Sequence, residues 1–162
     1  MAETTDTPTA LSGKVLTFRL GEETFGIAIA AVREIVSLQP MTPLPDAPHH
    51  VRGVIDLRGR FIPVVDLRLR LGRGSGEETE ATCIVVLQLH GTTLGVVVDA
   101  VEDVMDVEAE RVEPPPPRWA GGSAGYLLGM TRAGERPVVL VEMERVFPAD
   151  EVAALGGGDF PL

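Results

Sequence analysis

The chain has 162 residues, with 14 basic and 24 acidic side chains for a formal net charge of −10, and is 44% apolar and 23% charged. That balance excludes nucleic-acid binding by bulk attraction to phosphate, which needs a basic face, and the apolar share excludes a chain too polar to fold. The length allows one domain of ordinary size or two very small ones.

Charge is unevenly spread along the chain. Residues 1–80 hold 9 basic and 11 acidic side chains, whereas residues 81–162 hold 5 and 13. Six arginines between Arg52 and Arg73 face only Asp56 and Asp66 in that stretch, and seven carboxylates between Asp99 and Glu113 face only Arg111. A positive and a negative surface are therefore predicted. Cys83 is the only cysteine, so no internal disulfide is expected, and the opening MAETTDTPTALSGK has neither a basic start nor an apolar signal core. Cytoplasmic residence follows. No apolar run approaches the roughly 20 residues that span a bilayer, so no direct membrane insertion is expected.

In chain order, residues 1–13 are predicted as a disordered tail. Leu16, Phe18 and Leu20 share a face at period two, Gly21-Glu22-Glu23-Thr24 supplies a turn, and Phe25, Ile27 and Ile29 share a face again. This predicts a β-hairpin. From Ile29 the spacing changes to Val32, Ile35 and Val36, the rhythm of a helical turn. The segment VRGVIDLRGRFIPVVDLRLRLG, Val51 to Gly72, comes next. In it Gly53 and Gly59 flank a tight turn, Asp56 is suited to bonding turn backbone, and Arg58 stands at the tip. There it serves either as a partner contact through its donor fork or as a solvated turn residue. Gly72 to Gly76 (GRGSG) marks a connection, and Ile84 to Met105 repeats the hairpin and its change of rhythm. Pro114 to Pro117 reads as a stiff spacer, and Pro148 to Leu155, followed by Gly156, as a short helix.

The two hairpins align at an offset of 69, pairing Leu20 with Leu89, Thr24 with Thr93, Gly26 with Gly95, Ala31 with Ala100 and Val32 with Val101. A later pair aligns at an offset of 76: Gly53 with Gly129, Arg60 with Arg136, Ile62 with Val138, Val65 with Val141. The expectation is two related β modules, about 14–80 and 81–147, followed by a short helix and tail at 148–162. Short apolar strands are best protected by closing each module into a small antiparallel barrel.

No catalytic constellation stands out. Gly121-Gly122-Ser123-Ala124-Gly125 fits the G-x-S-x-G elbow of serine hydrolases, but prolines rather than a strand precede it, and His49, His50 and His90 all lie upstream of Ser123. A serine hydrolase is the remote alternative. His49 and His50 are adjacent and lack a spaced third ligand, which favours solvated loop histidines over a metal site. The acidic stretch lacks calcium-loop spacing, and GRGSG lacks the Gly-Lys-Ser/Thr ending of a phosphate loop. Cys83 sits in a strand pattern, buried and inert. Asp56 and Asp66 are explained by salt bridges to Arg58, Arg60 or Arg68. Neither metal nor cofactor is expected.

FRLGEETFGIAIAAVREIV (Phe18 to Val36), VRGVIDLRGRFIPVVDLR, LGVVVDAVEDVM (Leu94 to Met105) and YLLGM followed by PVVLVEME stand in the order and spacing of one family. The chain resembles the CheW family of bacterial chemotaxis coupling proteins from about residue 15 to 150. The resemblance implies an all-β fold of two five-stranded SH3-like barrels packed together, with short helices. It also implies a non-enzymatic adaptor that bridges the cytoplasmic tip of methyl-accepting chemoreceptors to the regulatory domain of the histidine kinase CheA, with other CheW copies as neighbours in array rings. A similar adaptor in a non-flagellar chemosensory pathway, for type IV pili or gene regulation, is the alternative. Carried over by position, the receptor contacts are Val32, Glu34 and Ile35, then Gly53, Asp56, Arg58 and Gly59, then Val98, Val101 and Val104; many relatives have Asn where this chain has Asp56. Val32, Ile35, Val98 and Val101 either line a groove for a receptor helix or only close the seam between the modules.

Overall fold

The computed structural model describes residues 13–72, 76–115 and 125–155. Ten strands run through the described residues: β1 Gly13–Leu20, β2 Glu23–Ala28, β3 Val32–Ser37, β4 Val51–Leu57, β5 Arg60–Asp66, β6 Cys83–Leu89, β7 Thr92–Val98, β8 Ala100–Val107, β9 Leu127–Ala133 and β10 Arg136–Val141. Among the described residues there are also three short α-helices, α1 Leu67–Arg70, α2 Met143–Val146 and α3 Ala149–Leu155, and two 3-10 turns, Ile29–Ala31 and Ala109–Arg111.

The strands form two five-stranded sheets, in the orders β8-β1-β2-β10-β9 and β3-β6-β7-β5-β4. Replacing β1 by β6, β2 by β7, β8 by β3, β10 by β5 and β9 by β4 converts one order into the other, so the repeat read at offsets 69 and 76 is structural. The boundaries are not sequential, however. The first unit runs to Ala30 and resumes at Val101–Val146, and the second holds Ala31–Ala100 and the chain from Phe147 onward. The halves 14–80 and 81–147 each contribute strands to both sheets. Period-two alternation says which side chains face inward, not which strand lies alongside, and so leaves this exchange invisible. The sheets also mix directions, because β10 runs parallel to β2 and β5 parallel to β7, where fully antiparallel barrels were expected.

The segment read as a helical turn is a single turn of 3-10 helix at Ile29–Ala31 followed by strand β3. Its pairing with β6 shifts register between Val32 and Glu34. That irregularity breaks the alternation and puts the apolar residues at helix-like spacing.

Each sheet closes the same way. Downstream of β3, Thr42 and Val54 exchange backbone bonds of 2.9 Å in both directions; downstream of β8, Glu113 and Met130 exchange bonds of 2.8 and 2.9 Å. Two outer strands are thereby joined in each unit, which removes a pair of exposed edges. The first unit packs Val15, Val107, Leu128, Val138 and Leu140 together, and Phe18 stacks on its cross-strand partner Phe25 at 6.0 Å. The second packs Ile55, Ile62, Val64, Ile84, Val86 and Val97, flanked by Val36, Leu38, Met41 and Leu57.

The final helix begins one residue later than read, at Ala149, and belongs to the second unit. Phe147, Val152 and Leu155 are buried. Arg70 donates to Glu151 at 2.8 Å and lies 5.4 Å above the Phe147 ring, and His50 Nε2 stands 3.2 Å from the same carboxylate. His50 is therefore a partnered, largely covered group rather than a solvated loop histidine.

Candidate functional site

The β4–β5 hairpin turns on two residues, Arg58 and Gly59, at φ of 55° and 87°. Two consecutive positive φ values suit the right-handed twist of the flanking strands. The left-handed region costs an L residue roughly 1–2 kcal/mol, so an arginine there is held against local preference. Asp56 Oδ1 accepts the Gly59 N–H at 2.8 Å, the turn-capping role expected of it, and is not bridged to Arg58 or Arg60.

Arg58 projects to β3, where it donates to the Glu34 carboxylate. Its side chain keeps 68% of its accessible surface and that of Glu34 31%, so the pair is latched yet open to a partner. The hairpin tip is thus tied to an outer strand of the same sheet, beyond the reach of the Thr42–Val54 bridge. Asp66, by contrast, caps α1 through the backbone N–H groups of Arg68 and Leu69 and lies 3.5 Å from Arg52. Arg68 pairs with Asp99.

Gly53 does not flank the turn; it lies inside β4 and is buried. Its φ is 145°, and a Cβ there would sit 2.4 Å from the Thr42 carbonyl oxygen. The equivalent Gly129 would meet Glu113 O at 2.6 Å. Both glycines exist to let the closing bridge approach. Val98 is fully buried at the end of β7 and offers no surface to a partner. Ile35 is exposed on β3, with Val32 half-buried beside it. Val101 and Val104 lie on β8 of the first unit, the first half-buried and the second exposed. Of the residues named from sequence, the fold joins Glu34, Asp56, Arg58 and Gly59 around one turn.

Sequence reasoning passed over Phe61, which is 46% exposed and sits directly across the ladder from Asp56. It is hidden in the run RFIPVV, but pairing it with Asp56 would have marked it as outward. Ser123 and most of its G-x-S-x-G context fall outside the described residues. Cys83 is half-buried rather than fully interior.

Two five-stranded β units, one with a charged latch on a tight turn, define a fold of two SH3-like subdomains. The family model for the CheW-like domain matches residues 14–151. The chain is 38% identical over 138 residues to the chemotaxis protein CheW of Rhizobium meliloti (strain 1021), covering 85% of this chain and 89% of that one. It is 35% identical over 138 residues to the chemotaxis protein CheW of Klebsiella aerogenes, covering 85% and 83%. The crystal structure of scaffolding protein TtCheW from Thermoanaerobacter tengcongensis matches with a TM-score of 0.76 at 29% identity, over 86% of this chain and 90% of that chain. The chain belongs to the CheW family. It is a non-enzymatic adaptor of chemotaxis signal transduction.

Proposed function

We propose that the chain couples methyl-accepting chemoreceptors, through their cytoplasmic tip, to the regulatory domain of the histidine kinase CheA, with the Arg58 turn as its receptor-facing contact. The observation that carries this reading is Arg58 itself: an arginine kept in a left-handed conformation, exposed, and oriented by Glu34. A fixed guanidinium presents its donor fork to a partner carboxylate with little further ordering cost. Ile35 on the same strand as Glu34 adds exposed apolar surface.

Kinase activation then comes from holding receptor and kinase at high effective concentration in one geometry, with no bond chemistry by the adaptor. The two units are built alike, which suits end-to-end association with CheA or with further copies in array rings. No helix among the described residues is long and apolar enough to cross a membrane, and the reading places the protein in the cytoplasm, recruited to arrays by its partners.

The test is a reconstituted array of receptor, CheA and this chain. Arg58→Glu should abolish receptor-dependent kinase control while the purified variant keeps its circular dichroism and unfolding transition. Wild-type control by Arg58→Glu would remove the assigned role.

A further inference from the structure

Each sheet is assembled from both ends of the chain. In the first the β1–β2 hairpin lies between β8 and β10, and in the second the β6–β7 hairpin lies between β3 and β5. The stretch before the connection from α1 to β6 therefore contributes a hairpin to one sheet and β3, β4 and β5 to the other. The stretch after it contributes its hairpin to the second sheet and β8, β9 and β10 to the first. The exchange is reciprocal, and neither stretch holds the five strands of one unit.

Pairing and packing hold the two stretches together. Thr24, Phe25 and Gly26 run parallel to Val138, Val139 and Leu140 in one sheet. Val64, Val65 and Asp66 run parallel to Gly95, Val96 and Val97 in the other, where β3 also pairs with β6. Both cores are shared: Val15 clusters with Val138 and Leu140, and Ile62 and Val64 with Ile84 and Val86. Lys14 and Asp106, Arg68 and Asp99, and Arg70 and Glu151 are ion pairs across the same division. A stretch taken alone leaves these ladders open and these apolar faces in water, and an isolated hairpin is marginal. By contrast Gly76 and Glu77, in the covalent connection, are exposed.

Every one of those contacts is satisfied equally by the same stretch of another molecule, and the connection adds only effective concentration. We infer that a second copy of this chain completes the fold in trans: in an exchanged dimer, residues up to Gly76 of each copy pair with residues from Glu77 onward of the other, and every ladder is kept. Exchanging identical elements is a low-cost route to a dimer. Glu34 and Arg58 stay together on the earlier stretch, so the dimer carries their latch twice. On the coupling reading, that makes it a bivalent adaptor.

The test uses the full chain with a specific protease site inserted between Gly76 and Glu77. Cut while folded, it should remain one species of unchanged mass, and its unfolding midpoint should rise with concentration, because unfolding now separates two molecules. Separation of the fragments on cutting would overturn the inference. The uncut chain is then refolded from urea at about 1 µM and at about 1 mM, the second being the order of effective concentration that a short connection supplies. Sedimentation should show a monomer at the first and a fraction of doubled mass at the second. Cutting that dimer should return it to monomer mass with both fragments retained, because the connections are the only covalent links between the two exchanged bodies. A dimer that keeps its doubled mass after cutting would be joined by surface contact, and absence of any dimer at the higher concentration would make each copy self-contained; either result overturns the exchange. Neither receptor nor kinase takes part, so failure here leaves the coupling reading standing.

Discussion

A Cβ built on Gly53 falls 2.4 Å from the carbonyl oxygen of Thr42, which bridges β4 from the segment after β3. The obstructing oxygen accepts the Val54 N–H, and the Thr42 N–H donates to Val54 O, so this backbone has little freedom to move away. Gly53→Ala therefore combines a steric clash with a φ of 145° that L residues rarely adopt. The expected loss is about 3 kcal/mol, from strain and a damaged closing bridge together. Urea unfolding should show it as a lower midpoint. Any loss of partner binding in this variant should track the unfolded fraction, since Gly53 is interior.

Arg58 invites the opposite experiment. Asn is the residue best suited to the first position of a turn with two positive φ values, so Arg58→Asn relieves local strain. It also removes the exposed pair with Glu34, a contact of about 0–1 kcal/mol at best. The balance should leave the fold as stable as before or more stable by up to about 1 kcal/mol. Receptor-dependent kinase control should nevertheless be lost. A midpoint that fell with activity would mean that the arginine serves the fold.

Val98 and Val104 separate interior from surface on equivalent chemistry. Val98 is fully buried and Val104 is 45% exposed. Val98→Ala should cost about 2 kcal/mol through lost burial and a cavity, whereas Val104→Ala should stay within about 0.5 kcal/mol. Equal shifts in thermal midpoint would contradict this assignment of Val98 to the core.

Asp66 caps the four-residue helix α1 with one carboxylate oxygen, at 3.0 Å from Arg68 N and 3.3 Å from Leu69 N, while the other lies 3.5 Å from Arg52. Asp66→Ala removes both functions at a site only 7% exposed, and a cap alone is worth about 1 kcal/mol. Asp66→Asn keeps a capping oxygen and loses only the charge opposite Arg52. The order of stability should be wild type, then Asn, then Ala, read from chemical denaturation. An Asn variant as weak as Ala would shift the weight from the cap to the ion pair.

Much of this was legible beforehand, and what was not has identifiable causes. The hairpins, the internal repeat, the Asp56 bond to turn backbone and the terminal helix follow from period-two faces and turn residues. The path of β3 was not legible, because a bulge at Val32 and Glu34 mimics helical spacing. Nor was the burial of Val98, which stands in a run, LGVVVDA, too uniformly apolar to reveal a face. The Glu34–Arg58 latch joins residues 24 positions apart on strands that share no ladder, a relation that only closure of the sheet creates.

The sequence of one unit is interrupted by that of the other, which sets the order in which their strands emerge from the ribosome. Strands β3 to β7 are contiguous from Val32 to Val98, so that whole sheet is available once residue 98 has emerged. The hairpin of β1 and β2, though made first, must wait for β8, β9 and β10, the last of which ends at Val141. A lone two-stranded hairpin is marginal in water, so the N-terminus stays incomplete through most of synthesis. The sheet of β3 to β7 can therefore form first, whereas α3, which belongs to the same unit, emerges only after β10, the last strand of the other sheet.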